Sequence, residues 1–191
     1  MDNRRYLGDE QEAVEPFLCD LMERRRSLAI TAHHEAAHAV VNYRACPDAG
    51  AGDISIVPDH TRGLLGANDD AASDSFKPDH MEARILSCYA DGHAQRRLDP
   101  RTGADGCDSD DAIAADLLFK FQWESREQKL RDRAGEMVNE HWGEIVAVAV
   151  ELLQTQRLDT SEVELIADAI AGDPDADLAR YRLLRDWPGG R

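Results

Sequence analysis

Apolar residues recur along most of this 191-residue chain at spacings of three and four, the period of helices that bury one face. Over residues 9–26, Val14, Phe17, Leu18, Leu21 and Met22 follow that period and predict an N-terminal helix. A second helix is expected from about Ser27, a good capping residue, to about Arg44, with Pro47 and Gly50 closing it. Asp53-Ile54-Ser55-Ile56-Val57-Pro58 alternates polar and apolar positions as a strand does, and Gly63 to Ala67 is its expected hairpin partner. Asp69 to Pro78 reads as loop. Helical spacing returns from about Asp79 to Leu98, with Ile85, Leu86, Tyr89 and Leu98 turned inward, and Pro100 and Gly103 end it. An acidic turn, Asp105-Gly106-Cys107-Asp108-Ser109-Asp110-Asp111, then leads into a helix beginning at Ala112.

Beyond Glu124 a long helical region extends to about Gln156, its buried stripe formed by Met137, Val138, Ile145, Ala149, Leu152 and Leu153. Ser161 and Glu164 have the capping-box spacing for a last helix to about Ala171. The elements add up to a mainly α (α+β) fold, helical with a small hairpin or sheet. One domain is expected over residues 1–191, with its core at about 28–172 and a tail at 173–191.

Composition narrows the function classes. A hydrophobic content of 42% is enough for a proper core, and no stretch approaches the roughly 18 apolar residues of a membrane span. The first 30 residues mix acids, arginines and apolar positions without the continuous apolar centre of a secretory signal, so a cytoplasmic location is expected. A net charge of −16 argues against nucleic acid, whose binding draws on clustered Lys and Arg. The run Arg24-Arg25-Arg26 is short and reads as a solvated helix face. Cys19, Cys46, Cys88 and Cys107 form no CxxC pair and no disulfide framework, and read as free thiols.

The chemistry concentrates at His34-Glu35-Ala36-Ala37-His38. In a helix this HExxH spacing puts two imidazoles one turn apart on one face, where their nitrogens can bind Zn²⁺ at about 2.0–2.1 Å. The ion can lower the pKa of a bound water towards roughly 7. Glu35, beside the first histidine, is placed to take that water's proton and pass it to a leaving amine. That combination is peptide-bond hydrolysis. The bland alternative is a solvated polar helix face. His33 lies on another side of the helix and reads as a packing or surface residue, as do His60, His80, His93 and His141.

Two histidines do not complete a catalytic zinc site, and the acidic cluster at 105–111 is the best supplier of a third ligand. On residues alone, those acids serve equally as an N-cap and first-turn charges of the following helix. Here the chain resembles a known family. His34 to Val41, HEAAHAVV, is similar to the HEAGHAVV of the peptidase domain in FtsH-type ATP-dependent zinc proteases. Ile54 to Pro58 with Arg62 to Gly66 occupies the place of that family's IIPRG…LGY strand pair, and Asp91 to Arg96 that of its GGRAAE. The resemblance extends from about Leu28 to Leu165. Ala37 stands for a glycine, Arg96 for a glutamate, Ser109 for an asparagine and Ala115 for a threonine.

The resemblance implies a zinc metalloendopeptidase with His34, His38 and Asp110 as ligands and Glu35 as the catalytic residue. Asp110 followed by Ala114 matches the family's ligand aspartate with alanine four residues later. It further implies that Leu64, Leu65 and Gly66 hold an extended peptide by backbone pairing. The substrate would be a peptide or unfolded protein. The chain carries no GxxxxGK[ST] loop, so a motor would come from a separate ATPase, and a homo-oligomer is the other partner implied. A different class stands beside this one: a non-catalytic, metal-stabilised binding or adaptor module derived from the peptidase domain.

Overall fold

The computed structural model describes residues 6–58, 67–69, 77–102, 107–179 and 182, with side chains described from Asp20 on, outside 67–69. The fold is mainly helical with one small antiparallel sheet, as the periodicity predicts. Helix α1 runs from Tyr6 to Ala45, α2 from Pro78 to Leu98, α3 from Asp108 to Phe121, α4 from Glu127 to Glu140, α5 from Trp142 to Thr155 and α6 from Thr160 to Ala171. Strands β1 (Asp53–Ser55), β2 (Ala67–Asp69) and β3 (Arg157–Leu158) lie in the order β2-β1-β3.

The two N-terminal helices expected from the pattern are one 40-residue helix. Nothing between Leu21 and Ile30 breaks it: the stretch holds no glycine or proline, and Arg24 to Arg26 are good helix formers. Ser27 caps nothing; its carbonyl accepts from Thr31 Oγ1 at 3.1 Å inside the helix. Leu21 is half-buried, whereas Met22 is 70% exposed and outside the core. Val14, Phe17 and Leu18 lie outside the described side chains. Among the described residues no helix is long and apolar enough to cross a membrane.

Helix α1 buries its second half. Ala32, Ala36, Ala37, Ala39, Val40 and Val41 are fully buried, and the helix packs against α2 and α5. Small side chains let the helices approach closely, which matters for the site they frame. Arg26 Nε donates to Asp99 Oδ2 at 2.7 Å, tying α1 to the end of α2. At its other end Arg44 Nε donates to Glu144 Oε2 of α5 at 2.7 Å, while Tyr43 donates to Asp168 Oδ2 of α6 at 2.9 Å.

The strand expected over 53–58 pairs only over Asp53 to Ser55, and Ile56 N then donates to Gln156 O at 3.0 Å. Its hairpin partner is β2, in register Ile54 with Asn68; residues 63–66 of the expected partner lie outside the described residues. Strand β3 has no pattern of its own, being two residues long, and pairs Leu158 with Ile54 on the other edge of β1. Within the expected loop 69–78, Asp69 belongs to β2 and Pro78 to α2, while 70–76 lie outside the described residues.

The long C-terminal helix is broken at His141, which leaves helical geometry between α4 and α5. Leu130, Ala134, Met137, Val138, Ile145, Val148, Ala149 and Leu152 are buried there, but Leu153 is 38% exposed. The last capping box sits two residues earlier than the Ser161 and Glu164 spacing suggests. Asp159 caps α6 by accepting from Glu162 N at 2.9 Å, and Glu162 Oε2 accepts from Asp159 N at 3.0 Å. Glu164 instead accepts from Ala51 N at 3.2 Å.

Candidate metal centre

One face of α1 and the start of α3 carry the motif residues to a common point beneath α2. On α1, His34 and His38 stand one turn apart with their Nε2 atoms 3.1 Å from each other. Asp110 lies in the first turn of α3, which begins at Asp108, four residues before the expected Ala112. Its Oδ2 is 3.7 Å from His34 Nε2 and 3.7 Å from His38 Nε2. Donor atoms held about 2.0–2.1 Å from one tetrahedral ion are about 3.4 Å apart, so a triangle with sides of 3.1, 3.7 and 3.7 Å has the dimensions of such a site.

A fourth residue, Asp91 of α2, joins them: His34, His38, Asp91 and Asp110 each offer a ligand atom within 4.8 Å of the others and could hold a metal ion. Asp91 is buried at 2% exposure. Its Oδ1 accepts from Gly92 N, the Cys107 thiol lies against the same carboxylate, and Oδ2 has no hydrogen-bond partner. Orphaned buried carboxylate oxygens are costly, and a nearby cation or donor removes the cost. The residues present therefore fit a divalent cation.

Both imidazoles are held from behind. Ser87 Oγ donates to the His38 carbonyl at 3.1 Å, which leaves its lone pairs facing His38 Nδ1 at 3.3 Å. Gln95 Nε2 is 2.7 Å from His34 Nδ1, and Asp91 Oδ2 is 3.7 Å from the same nitrogen. Ser87, Asp91 and Gln95 form one stripe at i, i+4 and i+8 along α2. Asp91 and Gln95 fall in the stretch similar to GGRAAE, but no motif marks either of them, or Ser87, as a site residue. The available signal was that polar stripe, set among the buried Ile85, Leu86, Ala90 and Ala94.

The electrostatics of the pocket favour one positive charge. Burial lowers His34 to about 3, assisted by the charge on His38. Burial acts the same way on His38, but the facing Asp110, with Asp91 and Glu35, outweighs it and raises His38 to about 9. A proton there marks where a cation is welcome, and metal binding would release it. Glu35 is 5% exposed; burial raises its carboxyl to about 7, with Asp110 and Asp91 adding to the shift and His38 opposing it. A carboxyl poised near neutrality can both take and return a proton.

The other histidines take packing roles. His33 Nδ1 donates to Ala29 O at 2.8 Å and its ring lies on Trp142 with centroids 5.7 Å apart, away from the cluster. His93 packs on α4 where Gly135 makes room; an added Cβ would stand 2.8 Å from its ring. His80 is buried with Nδ1 unpartnered, and His141 Nδ1 faces Glu144 Oε1 at 3.0 Å. His60, Leu64, Leu65 and Gly66 lie outside the described residues. Cys46, Cys88 and Cys107 are free thiols. No family model matches the chain, and no curated protein matches it.

Proposed function

We propose that the chain is a metal-dependent peptide hydrolase acting on peptide or unfolded protein, with His34, His38 and Asp110 holding Zn²⁺ and Glu35 carrying the proton. The observation that supports it most is the triangle of donor atoms, 3.1, 3.7 and 3.7 Å on its sides, beside a buried carboxyl poised near neutrality. Two imidazoles and a carboxylate suit Zn²⁺ by chemistry and by number, since catalytic zinc sites use three protein ligands. The likeness of His34 to Val41, and of Asp110 with Ala114, to FtsH-type peptidase domains points the same way.

When bound, the ion supplies Lewis acidity, which makes water nucleophilic near neutral pH and draws charge from a carbonyl oxygen. Glu35 accepts the proton of the attacking water on its carboxylate and returns it to the departing amine nitrogen. Burial keeps that carboxyl out of bulk solvent, so the proton it takes stays available for return. Ser87 and Gln95 hold the two imidazoles in line.

Metal analysis of the purified protein is expected to give one zinc per chain, and Glu35→Gln to keep the ion while losing cleavage of an unfolded protein. Cleavage by Glu35→Gln at the wild-type rate would overturn this role. One observation favours the non-catalytic alternative: Asp91 lies within the same cluster and would close the shell as a fourth protein ligand. Substitution with Co²⁺ and relaxation of solvent water then separates an open site, with exchanging water, from a closed one.

A further inference from the structure

We infer that Asp91 is a positioning residue, whose carboxylate accepts a hydrogen bond from His34 Nδ1–H and thereby fixes that ring with Nε2 aimed at His38 and Asp110; this presupposes the ligand roles proposed above. The two nitrogens of His34 face different groups. Nε2 meets His38 Nε2 at 3.1 Å and Asp110 Oδ2 at 3.7 Å, whereas Nδ1 meets the Gln95 amide nitrogen, Nε2, at 2.7 Å and Asp91 Oδ2 at 3.7 Å. A single ring cannot offer both nitrogens to one ion, so the acid facing Nδ1 has a different task from the acid facing Nε2.

Asp91 lacks one partner. Its Oδ1 is satisfied by Gly92 N, its Oδ2 is buried with none, and the nearest ring nitrogen of the histidine pair is His34 Nδ1. The 3.7 Å gap exceeds a hydrogen bond by less than about 1 Å, which a small rotation of the imidazole closes. An Nδ1–H on His34 also requires the Gln95 amide to be turned end for end, so that Oε1 rather than Nε2 faces the ring at 2.7 Å and accepts from it beside Asp91. Ligating histidines commonly give their second N–H to a carboxylate in this way, which sets the tautomer and strengthens the other nitrogen as a donor.

His38 is backed differently. Its Nδ1 faces the neutral hydroxyl of Ser87, so the two imidazoles are not equivalent. Occupying Asp91 behind His34 also leaves only three protein donors for the ion, and hence a position for water.

The test pairs a tautomer measurement with metal affinity. In the metal-free wild type, ¹⁵N NMR of the imidazoles is expected to show His34 protonated at Nδ1; protonation at Nε2 overturns the assignment, and this readout needs no variant to fold. In Asp91→Asn, Zn²⁺ affinity measured by chelator competition should fall about 10–100-fold. X-ray absorption of the loaded variant should show the same number of nitrogen and oxygen neighbours as the wild type. Unchanged affinity, or loss of one oxygen neighbour, contradicts a positioning role. A wild type that takes up no zinc defeats the ligand assignment instead, and the tautomer still decides what Asp91 does.

Discussion

The two halves of the candidate metal centre are built in opposite ways. The α1 half sits in the core: Glu35 and His38 are 5% and 6% exposed, with fully buried alanines and valines around them. The α3 half sits at the rim. Only Ala114 and Leu118 of that helix are buried, and Phe119 is 73% exposed. Helix α3 is instead pinned by Arg131 of α4, which donates to Asp111 Oδ1 at 2.9 Å and lies 4.0 Å over the Tyr89 ring. The HExxH residues are thus held by a packed apolar core, while Asp110 is presented by a helix with little apolar grip.

The largest effect expected belongs to the core half. Glu35→Gln should reduce cleavage of an unfolded protein by about 10²–10⁴-fold with metal content unchanged, measured by turnover and elemental analysis of one preparation. Next comes the pair that tests the contrast directly. Asp110→Ala should weaken Zn²⁺ by more than about 100-fold. Its metal-free stability should fall by about 1 kcal/mol, the loss of a part-exposed carboxylate that faces His38. His38→Ala should lose metal equally and cost about 1–3 kcal/mol of stability as well, because a buried partner of Ser87 disappears. Equal melting temperatures for the two metal-free variants would dissolve the distinction between core and rim.

Two smaller effects sharpen it. Arg131→Ala removes a half-exposed ion pair worth about 0–1 kcal/mol, so Zn²⁺ affinity should fall by no more than about fivefold, with Glu35 chemistry intact. Smallest is the acid response at the α1 and α2 contact. Arg101 and Arg26 hold the Asp99 carboxyl below its ordinary value, so its contribution to stability is present above about pH 4 and fades as pH falls from there towards its folded value. Asp99→Asn should flatten that part of the pH profile of melting temperature, and an unchanged slope would remove Asp99 as its source.

The α1 half was the legible one. HExxH is a local pattern, and a helix converts its spacing into geometry without help from the rest of the chain. Asp110 was reached through a resemblance, because the approach of a residue some seventy positions downstream is set by how α3 meets α1, which spacing does not encode. Asp91, Ser87 and Gln95 did leave a trace, three polar positions four apart on an otherwise apolar helix, but a stripe of that kind tells nothing about its partner until α2 is laid against α1. The joining of 9–26 with the next helix, and the cap at Asp159 rather than Ser161, were lost for a simpler reason. Ser27 and Ser161 are each suited to a cap, and only the neighbouring backbone decides whether one forms.

The pairing of Ile54 with Leu158 joins segments about a hundred residues apart, a loop comparable with those that α1 closes onto α5 and α6 through Arg44 with Glu144 and Tyr43 with Asp168. Strand β1 therefore gains its second edge only after α5 has brought the chain back. The β2 edge closes locally, so the third strand alone depends on that return, and a chain cut before Arg157 would leave the other edge of β1 open beside the HExxH helix.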